Sequence, residues 1–464
     1  MSVLDTAINP RTPGYLVGRG VTLARLAKIE SALEQARAGG GEKAVTRHHA
    51  RGKLLPRERI EMLVDQDSPF LELSPLAAWG TEFPPGAGVV TGIGVVEGVE
   101  CMVVANDPTV DGGAVNAHTT VKIRRAARIA ALNRLPLVAL AESAGEPAPD
   151  GPGPDGGIAR DLSRLAATRV PTVCVVFGAT TGDAAYLPAL SDYTIMVRGH
   201  AHLPTIHPQP IPAGSNGRPA PEVRGTPTGV AGSADQLADD ERDGLRLARQ
   251  CVRRFSWRKA GPPPHRFPPA PPGYDTDDLL TLAGADPGTP FDPREVLARI
   301  LDGSEFDEFK PTQGTGLVAG WGELHGYPVG VLAGAGTPGT AADTQKAVHF
   351  VQLANATGTS LLFIEKHTGL QEHAAALVHA MTSSTLPHLI LTIGQSATGT
   401  GRTDEPRFVF GWPTGGPHVS GQDDGTIDPR DTRTVLGLCL SAVHSAAVEG
   451  AAHVGVFRPG KVDQ

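Results

Sequence analysis

The chain has 464 residues, of which 40% are hydrophobic, so it is long enough for two domains with a core each. Its 41 basic and 49 acidic residues give a formal net charge of −8, which argues against a dedicated nucleic-acid-binding surface. The apolar runs are far shorter than the ~20 residues of a membrane span, and the N-terminus lacks the apolar segment of a signal peptide. These features predict a cytoplasmic protein without a membrane partner.

The cysteines and histidines are too scattered to predict a metal or disulfide framework. The four cysteines are far apart in the sequence and mostly lie in apolar stretches, so reduced core thiols are expected. His200 and His202 alternate like ligands on one strand face, but no cysteine, aspartate or glutamate stands near enough to complete a ligand set. We therefore expect no metal site.

Apolar patterning predicts alternating helices and strands along the first half of the chain. Residues 1–20 show no periodicity and are expected to form an arm, and the Gly39-Gly40-Gly41 run ends the first helix. In chain order, we predict a helix at 22–38, a helix with a basic flank within 50–60, strands at 89–93 and 100–105, and a helix at 120–132.

The stretch 135–145 predicts a buried strand that stops at small residues, where backbone amides can approach a ligand closely. Similar phrases, each an apolar run followed by a loop of small residues, return at 170–182, 360–369 and 386–399. This repetition predicts a duplicated α/β fold with two parallel strand–loop–helix units in each half. Because ligands bind beyond the carboxyl ends of the strands in open α/β sheets, we expect the site at these loops.

Proline content indicates the domain boundaries. Residues 261–290 contain several proline runs and are predicted to be a linker between a domain at 20–260 and a second domain at 291–464. The second domain is expected to begin with a helix capped by Asp292 and started by Pro293. A last helix is predicted at 431–448.

Backbone amides are the main candidates for catalysis. Small residues end a strand at Ala144-Gly145 and again near Gly399-Thr400, so two successive N–H groups can point at one oxygen. Such a pair stabilises an enolate or a tetrahedral oxyanion, and losing one donor typically costs ~2.7–4 kcal/mol of barrier. The G-x-S-x-G pentapeptide of many serine hydrolases does not occur in the sequence. For either site alone, a plain strand–helix turn is the slightly favoured interpretation, and the occurrence of the same feature in both halves strengthens the functional one.

Several phrases of the sequence resemble one protein family, the β subunits (carboxyltransferases) of biotin-dependent acyl-CoA carboxylases of the methylcrotonyl-CoA and propionyl-CoA type. The resemblance runs with gaps from about residue 20 to residue 458. The phrases that carry it are Ala50–Ile60, Ser68–Leu73, Val104–Asp107, Asp302–Lys310, His325–Gly330 and, most specific of all, Asp428–Leu438.

The resemblance implies an α/β fold of two tandem crotonase-like domains in a homo- or hetero-hexamer. It implies one site for an acyl-CoA thioester and one for carboxybiotin at a subunit interface, and a reaction that needs no metal. Biotin would be carried on a partner, the biotin carboxylase or biotin carrier subunit. In agreement with that, this chain contains no Ala-Met-Lys-Met biotinylation phrase.

The same resemblance assigns roles to individual residues. The first oxyanion hole falls on Ala144 and Gly145, and the second on Gly399 and Thr400. The positions that the resemblance implies for CoA binding are Arg51, Lys53, Ser143 and Gly182.

Charged residues stand where the resembling family has small or uncharged ones, namely Glu146, Asp183, Glu365 and His367. A carboxylate ~5.5 Å from a developing enolate costs about 3 kcal/mol at an effective dielectric of ~20. Two alternatives to a carboxyltransferase therefore stay open. One is a repurposed, biotin-independent enzyme in which these four residues supply acid/base chemistry for decarboxylation or acyl transfer. The other is a non-catalytic subunit that builds an oligomer with an active paralogue.

Overall fold

The computed structural model describes residues 2–144, 157–203, 234–284, 291–334, 339–365, 374–394, 405–414, 416 and 423–451. Contacts divide the chain into two compact units, which we call the first unit (residues 35–257) and the second unit (residues 1–34 and 258–464). The predicted boundaries differ from this division, because residues 20–34 and the proline-rich stretch belong with the second unit.

The helices and strands alternate along the chain. Among the described residues the helices are α1 (Pro13–Arg37), α2 (Glu42–His49), α3 (Pro56–Leu63), α4 (Ala117–Asn133), α5 (Gly157–Ala167), α6 (Tyr186–Ala189), α7 (Glu241–Phe255), α8 (Leu279–Gly284), α9 (Pro293–Ile300), α10 (Ala341–Thr357), α11 (Ala374–Thr382) and α12 (Thr432–Val443). The strands are β1 (Ser2–Val3), β2 (Phe70–Leu73), β3 (Val89–Val96), β4 (Val99–Asn106), β5 (Leu137–Ser143), β6 (Thr172–Thr180), β7 (Tyr193–Val197), β8 (Gln236–Ala238), β9 (Glu305–Glu308), β10 (Leu317–Leu324), β11 (Tyr327–Gly334), β12 (Ser360–Glu365), β13 (His388–Thr392), β14 (Phe408–Gly411) and β15 (Gly425–Thr426).

The first unit is built on a sheet with the strand order β2-β3-β4-β5-β6-β7-β8. The pairs β2–β3 and β3–β4 are antiparallel, and the pairs from β4 to β8 are parallel. Helices α4 and α5 provide the long crossovers that parallel strands require. Val138 and Leu140 of β5 share a buried cluster with Ile60 of α3 and Leu245 of α7. The alternating residue Ala139 is also fully buried, which explains the continuous apolar run of β5.

The second unit repeats this arrangement. Its sheet has the order β1-β9-β10-β11-β12-β13-β14-β15, with an antiparallel β10–β11 hairpin and parallel pairs from β11 onward. Helices α10 and α11 occupy the crossovers that α4 and α5 occupy in the first unit. The duplicated α/β fold predicted from the repeated phrases is therefore confirmed.

The two units also share a buried lysine at the same helical position. Lys122 is the sixth residue of α4, and its ammonium donates to the carbonyl of Val89, the first residue of β3, at 2.7 Å. Lys346 is the sixth residue of α10, and it donates to Leu317, the first residue of β10, also at 2.7 Å. Each lysine thus joins a crossover helix to the start of a hairpin. Because this contact occurs in both units, we attribute it to the shared fold.

A second duplicated device holds the hairpin turns. Asp65 accepts two backbone N–H bonds from the β3–β4 turn and pairs with Arg249 of α7 at 2.8 Å. Asp302 accepts two from the β10–β11 turn and pairs with Arg433 of α12 at 2.7 Å. In both units a carboxylate therefore ties the turn of the central hairpin to a helix near the end of the unit.

Most predicted elements match the observed ones within a few residues, including the α9 start at Asp292 and Pro293. The expected arm at 1–20 was wrong. Strand β1 pairs with β9, and α1 begins at Pro13 because its N-terminal half docks on the second unit, with Thr22 donating to the Leu280 carbonyl. The last helix ends at Val443 rather than 448.

Candidate functional site

The carboxyl end of β5 carries the candidate site and rests on a glycine turn. The Ser143 hydroxyl donates to the carbonyl of Gly113 at 2.6 Å, and the Ala144 N–H donates to the carbonyl of Gly112 at 2.9 Å. Gly113 has a φ of +79°, and a Cβ there would lie 2.5 Å from the Glu142 carbonyl oxygen. The close approach of this turn to β5 therefore requires glycine.

The carboxyl end of β6 lies directly beside that of β5. The Thr181 N–H and hydroxyl both reach the Ser143 carbonyl, at 2.9 and 3.2 Å. A short 3₁₀ turn, Gly182–Ala185, follows, in which Gly182 has a φ of +57° and is exposed. The structure thus brings four predicted site residues into one place: Ser143, Ala144, Gly182 and Asp183.

Of the four residues predicted to donate to an oxyanion, only Ala144 lies among the described residues. The N–H of Ala144 is occupied by the Gly112 carbonyl, so it does not point at open space as the sequence analysis expected. The reason is the glycine turn, which no sequence pattern placed against β5. Gly145, Gly399 and Thr400, and the charged residues Glu146 and His367, lie outside the described residues.

Lys53, predicted to bind CoA, instead forms a buried ion pair. Its ammonium donates to the Glu142 carboxylate and to the Phe177 carbonyl, the latter at 3.3 Å, and its side chain is only 13% exposed. The otherwise apolar β5 carries the Glu142 carboxylate at its second-last residue, and a buried carboxylate requires a cation nearby. Ser143, also predicted to bind CoA, is buried, whereas Arg51 is exposed.

Glu142 belongs to a four-residue ion network, Lys53–Glu142–Arg59–Glu241, that sequence reasoning missed. Arg59 of α3 is fully buried and donates to Glu142 at 2.6 Å and to both carboxylate oxygens of Glu241, at 2.8 and 3.0 Å. Its guanidinium also lies over the Phe177 ring, 4.1 Å from the centroid. One sequence signal did exist, since a glutamate stands near the end of an otherwise apolar strand and four cationic residues occur within 50–60.

The charges within the network balance. Burial alone raises the pKa of Glu142, but the Arg59 and Lys53 cations outweigh it and hold the pKa of this carboxyl below its ordinary value. Glu142 is therefore an anion held in place by two cations, and it does not act as a proton donor at neutral pH.

Asp183 and Glu365, the described members of the charged set, stand at strand ends in different units. Asp183 is half-buried in the turn after β6, and within the described ranges its carboxylate makes no ion pair or hydrogen bond. Glu365 is the last residue of β12, and its carbonyl accepts the N–H of Ile393 at 2.7 Å.

The described residues show neither a metal-binding cluster nor a membrane-spanning helix. In the described part of the chain, no set of three or more His, Cys, Asp or Glu side chains is placed to hold a metal ion. None of the helices described here combines the length and apolar character needed to cross a membrane. The four cysteines are buried free thiols.

Known proteins are similar to this chain over nearly its whole length. Residues 47–415 match the carboxyl transferase domain family. The chain is 41% identical to a probable biotin-dependent acyl-coenzyme A carboxylase beta2 subunit of Mycobacterium tuberculosis, over 98% of this chain and 100% of that one. It is 34% identical to the biotin-dependent 3-methylcrotonyl-coenzyme A carboxylase beta1 subunit of the same organism, over 93% and 96%.

A solved structure agrees with these matches. The β subunit of Pseudomonas aeruginosa geranyl-CoA carboxylase superposes with a TM-score of 0.80 at 29% identity, covering 98% of this chain and 100% of that chain. The two units described above therefore have the crotonase-like fold of carboxyltransferase β subunits. The chain belongs to the carboxyl transferase family, among the β subunits of biotin-dependent acyl-CoA carboxylases.

Proposed function

We propose that this protein is the carboxyltransferase subunit of an acyl-CoA carboxylase and moves a carboxyl group from carboxybiotin to the α-carbon of an acyl-CoA. The observation that carries the proposal is the near-complete match, at 41% identity, to a probable biotin-dependent acyl-CoA carboxylase β subunit. The matched region includes both strand ends of the candidate site, at residues 143–144 and 181–183.

The role of the chain in this reaction is to bind and polarise the thioester. Removing the α-proton of an acyl-CoA places negative charge on the thioester oxygen, which backbone N–H groups stabilise in a dry site. The candidate donors are the amides around Ala144-Gly145 in the first unit and Gly399-Thr400 in the second. Ala144 contributes its own amide only if the Gly112 carbonyl moves away, so Gly145 is the stronger candidate of the first pair.

Biotin is not attached to this chain. When delivered by a biotin carrier or biotin carboxylase partner, carboxybiotin supplies the CO2 and a nitrogen that accepts the α-proton. The exposed glycine turn at Gly182 suits the approach of such a bulky ligand, because the backbone there is open. The exposed Arg51 is the candidate for contacting the phosphates of CoA. The working assembly is a cytoplasmic hexamer, and the reaction uses no metal.

One observation favours a second function. Asp183 lies beside the Ser143–Ala144 strand end, half-buried and without an ion-pair partner in the described ranges. An unpaired carboxylate in this position suits a general base acting on a thioester in a biotin-independent reaction.

Product analysis separates these functions. The purified chain is incubated with a panel of acyl-CoAs, with and without a biotin carboxylase and carrier subunit, ATP and bicarbonate, and the products are followed by mass. Carboxylated acyl-CoA that requires biotin supports the proposal. Turnover without biotin would replace it with the second function, and no acyl-CoA binding at all would indicate a non-catalytic subunit.

A further inference from the structure

We propose that the Lys53–Glu142–Arg59–Glu241 network is a positioning device that aims the Thr181–Asp183 turn at the Ser143–Ala144 strand end. The inference rests on the proposed function and adds to it. The residues of the network position the backbone of the site through their contacts with β5 and β6.

A β-bulge lies at the network. Strands β5 and β6 pair in register as far as Ala141 and Val176, and the next pair is Ser143 with Thr180. The single residue Glu142 therefore stands opposite the three residues Phe177–Ala179 of β6. Bulges redirect the chain that follows them, and here that chain is the Thr181–Asp183 turn.

Two of the three bulged residues of β6, Phe177 and Gly178, contact the network. Arg59 stacks on the Phe177 ring at 4.1 Å, and Lys53 donates to the Phe177 carbonyl at 3.3 Å. Gly178 packs on the Glu142 carboxylate so closely that a Cβ there would lie 2.6 Å from the Glu142 Oε1. Lys53, Arg59 and Glu142 consequently hold both sides of the bulge at once, and Glu241 pairs with Arg59.

Residues that occur at matched positions in both units are those that the shared fold requires. The lysines Lys122 and Lys346, and the carboxylates Asp65 and Asp302, occur in matched positions in both units, as the fold requires. Arg59 has no such match. Arg59 stands three residues after Pro56, the first residue of α3. Three residues after Pro293, the first residue of α9, stands Val296, which is fully buried.

An apolar residue at that position thus satisfies the same fold in the second unit. Buried ion networks often contribute no more stability than apolar residues of similar volume. The second unit also holds a fully buried arginine, Arg299, which pairs with Glu295 and Asp278 but stands at a different position of its helix. The location of the Lys53–Glu142–Arg59–Glu241 network at the bulge beside the site is therefore what points to an effect on backbone geometry there.

The test compares two isosteric substitutions in the holoenzyme assembled with its biotin-carrying subunit. Glu142→Gln removes the central charge of the network, and Glu295→Gln removes the partner of Arg299 in a buried ion pair of the second unit. The expected result for Glu142→Gln is a roughly ten- to hundredfold fall in kcat with a nearly unchanged KM for acyl-CoA, because misplaced reacting groups lose rate more than binding. Glu295→Gln should lose thermal stability and keep its kcat.

Hydrogen exchange gives a readout that does not depend on activity. Faster amide exchange confined to residues 177–182 is expected in Glu142→Gln and not in Glu295→Gln. An unchanged kcat together with unchanged exchange at 177–182 would overturn the positioning role. If Glu142→Gln does not fold, Lys53→Gln, which removes only one cation, is measured in the same way. Failure of the wild-type chain to carboxylate any acyl-CoA would refute the proposed function, whereas the exchange result would still decide the role of the network.

Discussion

Replacing Asp183 by asparagine tests most directly how the negative charge in the turn after β6 affects the reaction rate. The substitution keeps the size and removes the negative charge. If the protein is a carboxyltransferase, this carboxylate opposes the charge that develops on the thioester oxygen, and Asp183→Asn should accelerate carboxylation. If the carboxylate is a general base, the same change should abolish turnover.

The size of the expected gain follows from the position of the turn. Asp183 lies two residues beyond Thr181, whose N–H is bonded to the Ser143 carbonyl at 2.9 Å. We set the separation between the carboxylate and an oxyanion bound beside Ala144 at about 7 Å, the reach of two residues of chain. At an effective dielectric of ~20, two charges at about 7 Å repel by about 2 kcal/mol, which corresponds to roughly thirtyfold in rate.

The assay is kcat/KM for carboxylation of the preferred acyl-CoA at low and high salt. Asp239→Asn is the matched control, since it removes a carboxylate from the same unit at a side chain that is 86% exposed. Asp183→Asn should gain more at low salt than at high salt, because salt screens the repulsion. A fall in kcat/KM for Asp183→Asn, with the Asp239 control unchanged, would refute the electrostatic argument.

Two further predictions concern stability. Burial lowers the pKa of Lys122 to about 8, below its ordinary value of 10.5, so between these values the unfolded chain binds more protons and the free energy of unfolding should rise with pH, by up to about 3 kcal/mol. Urea unfolding of wild type and Lys122→Met at pH 7 and pH 10 measures this, and a difference between the two proteins that does not change with pH would contradict it. Gly113→Ala should lower the thermal midpoint and the activity together, because its Cβ would meet the Glu142 carbonyl oxygen and its φ is positive. A variant with normal stability and activity would show that the turn has room to move.

Local sequence patterns were sufficient for the fold. Apolar runs such as the one in β5 and the cap at Asp292 report short-range preferences, and the repeated strand–loop phrases revealed the duplication before any contact was known. The phrases at Ala50–Ile60 and Asp428–Leu438 were enough to indicate the family, which the comparisons confirm. The start of α1 at Pro13 was missed, and an arm predicted in its place, because α1 is ordered by docking on α8, a contact between distant parts of the chain.

The hydrogen-bond and ion-pair partners of the polar groups at the site became known only from the folded structure. From sequence, Lys53 was available for CoA and the Ala144 amide was available for an oxyanion. In the fold, Lys53 forms an ion pair with Glu142, and the Ala144 N–H donates a hydrogen bond to the Gly112 carbonyl. Arg59 belonged to the region 50–60, predicted only to be a helix with a basic flank, yet it is fully buried and bonded to two carboxylates. Periodicity determines which face of an element is apolar, but the partner of a polar group depends on strands and turns that meet only when the sheet is assembled.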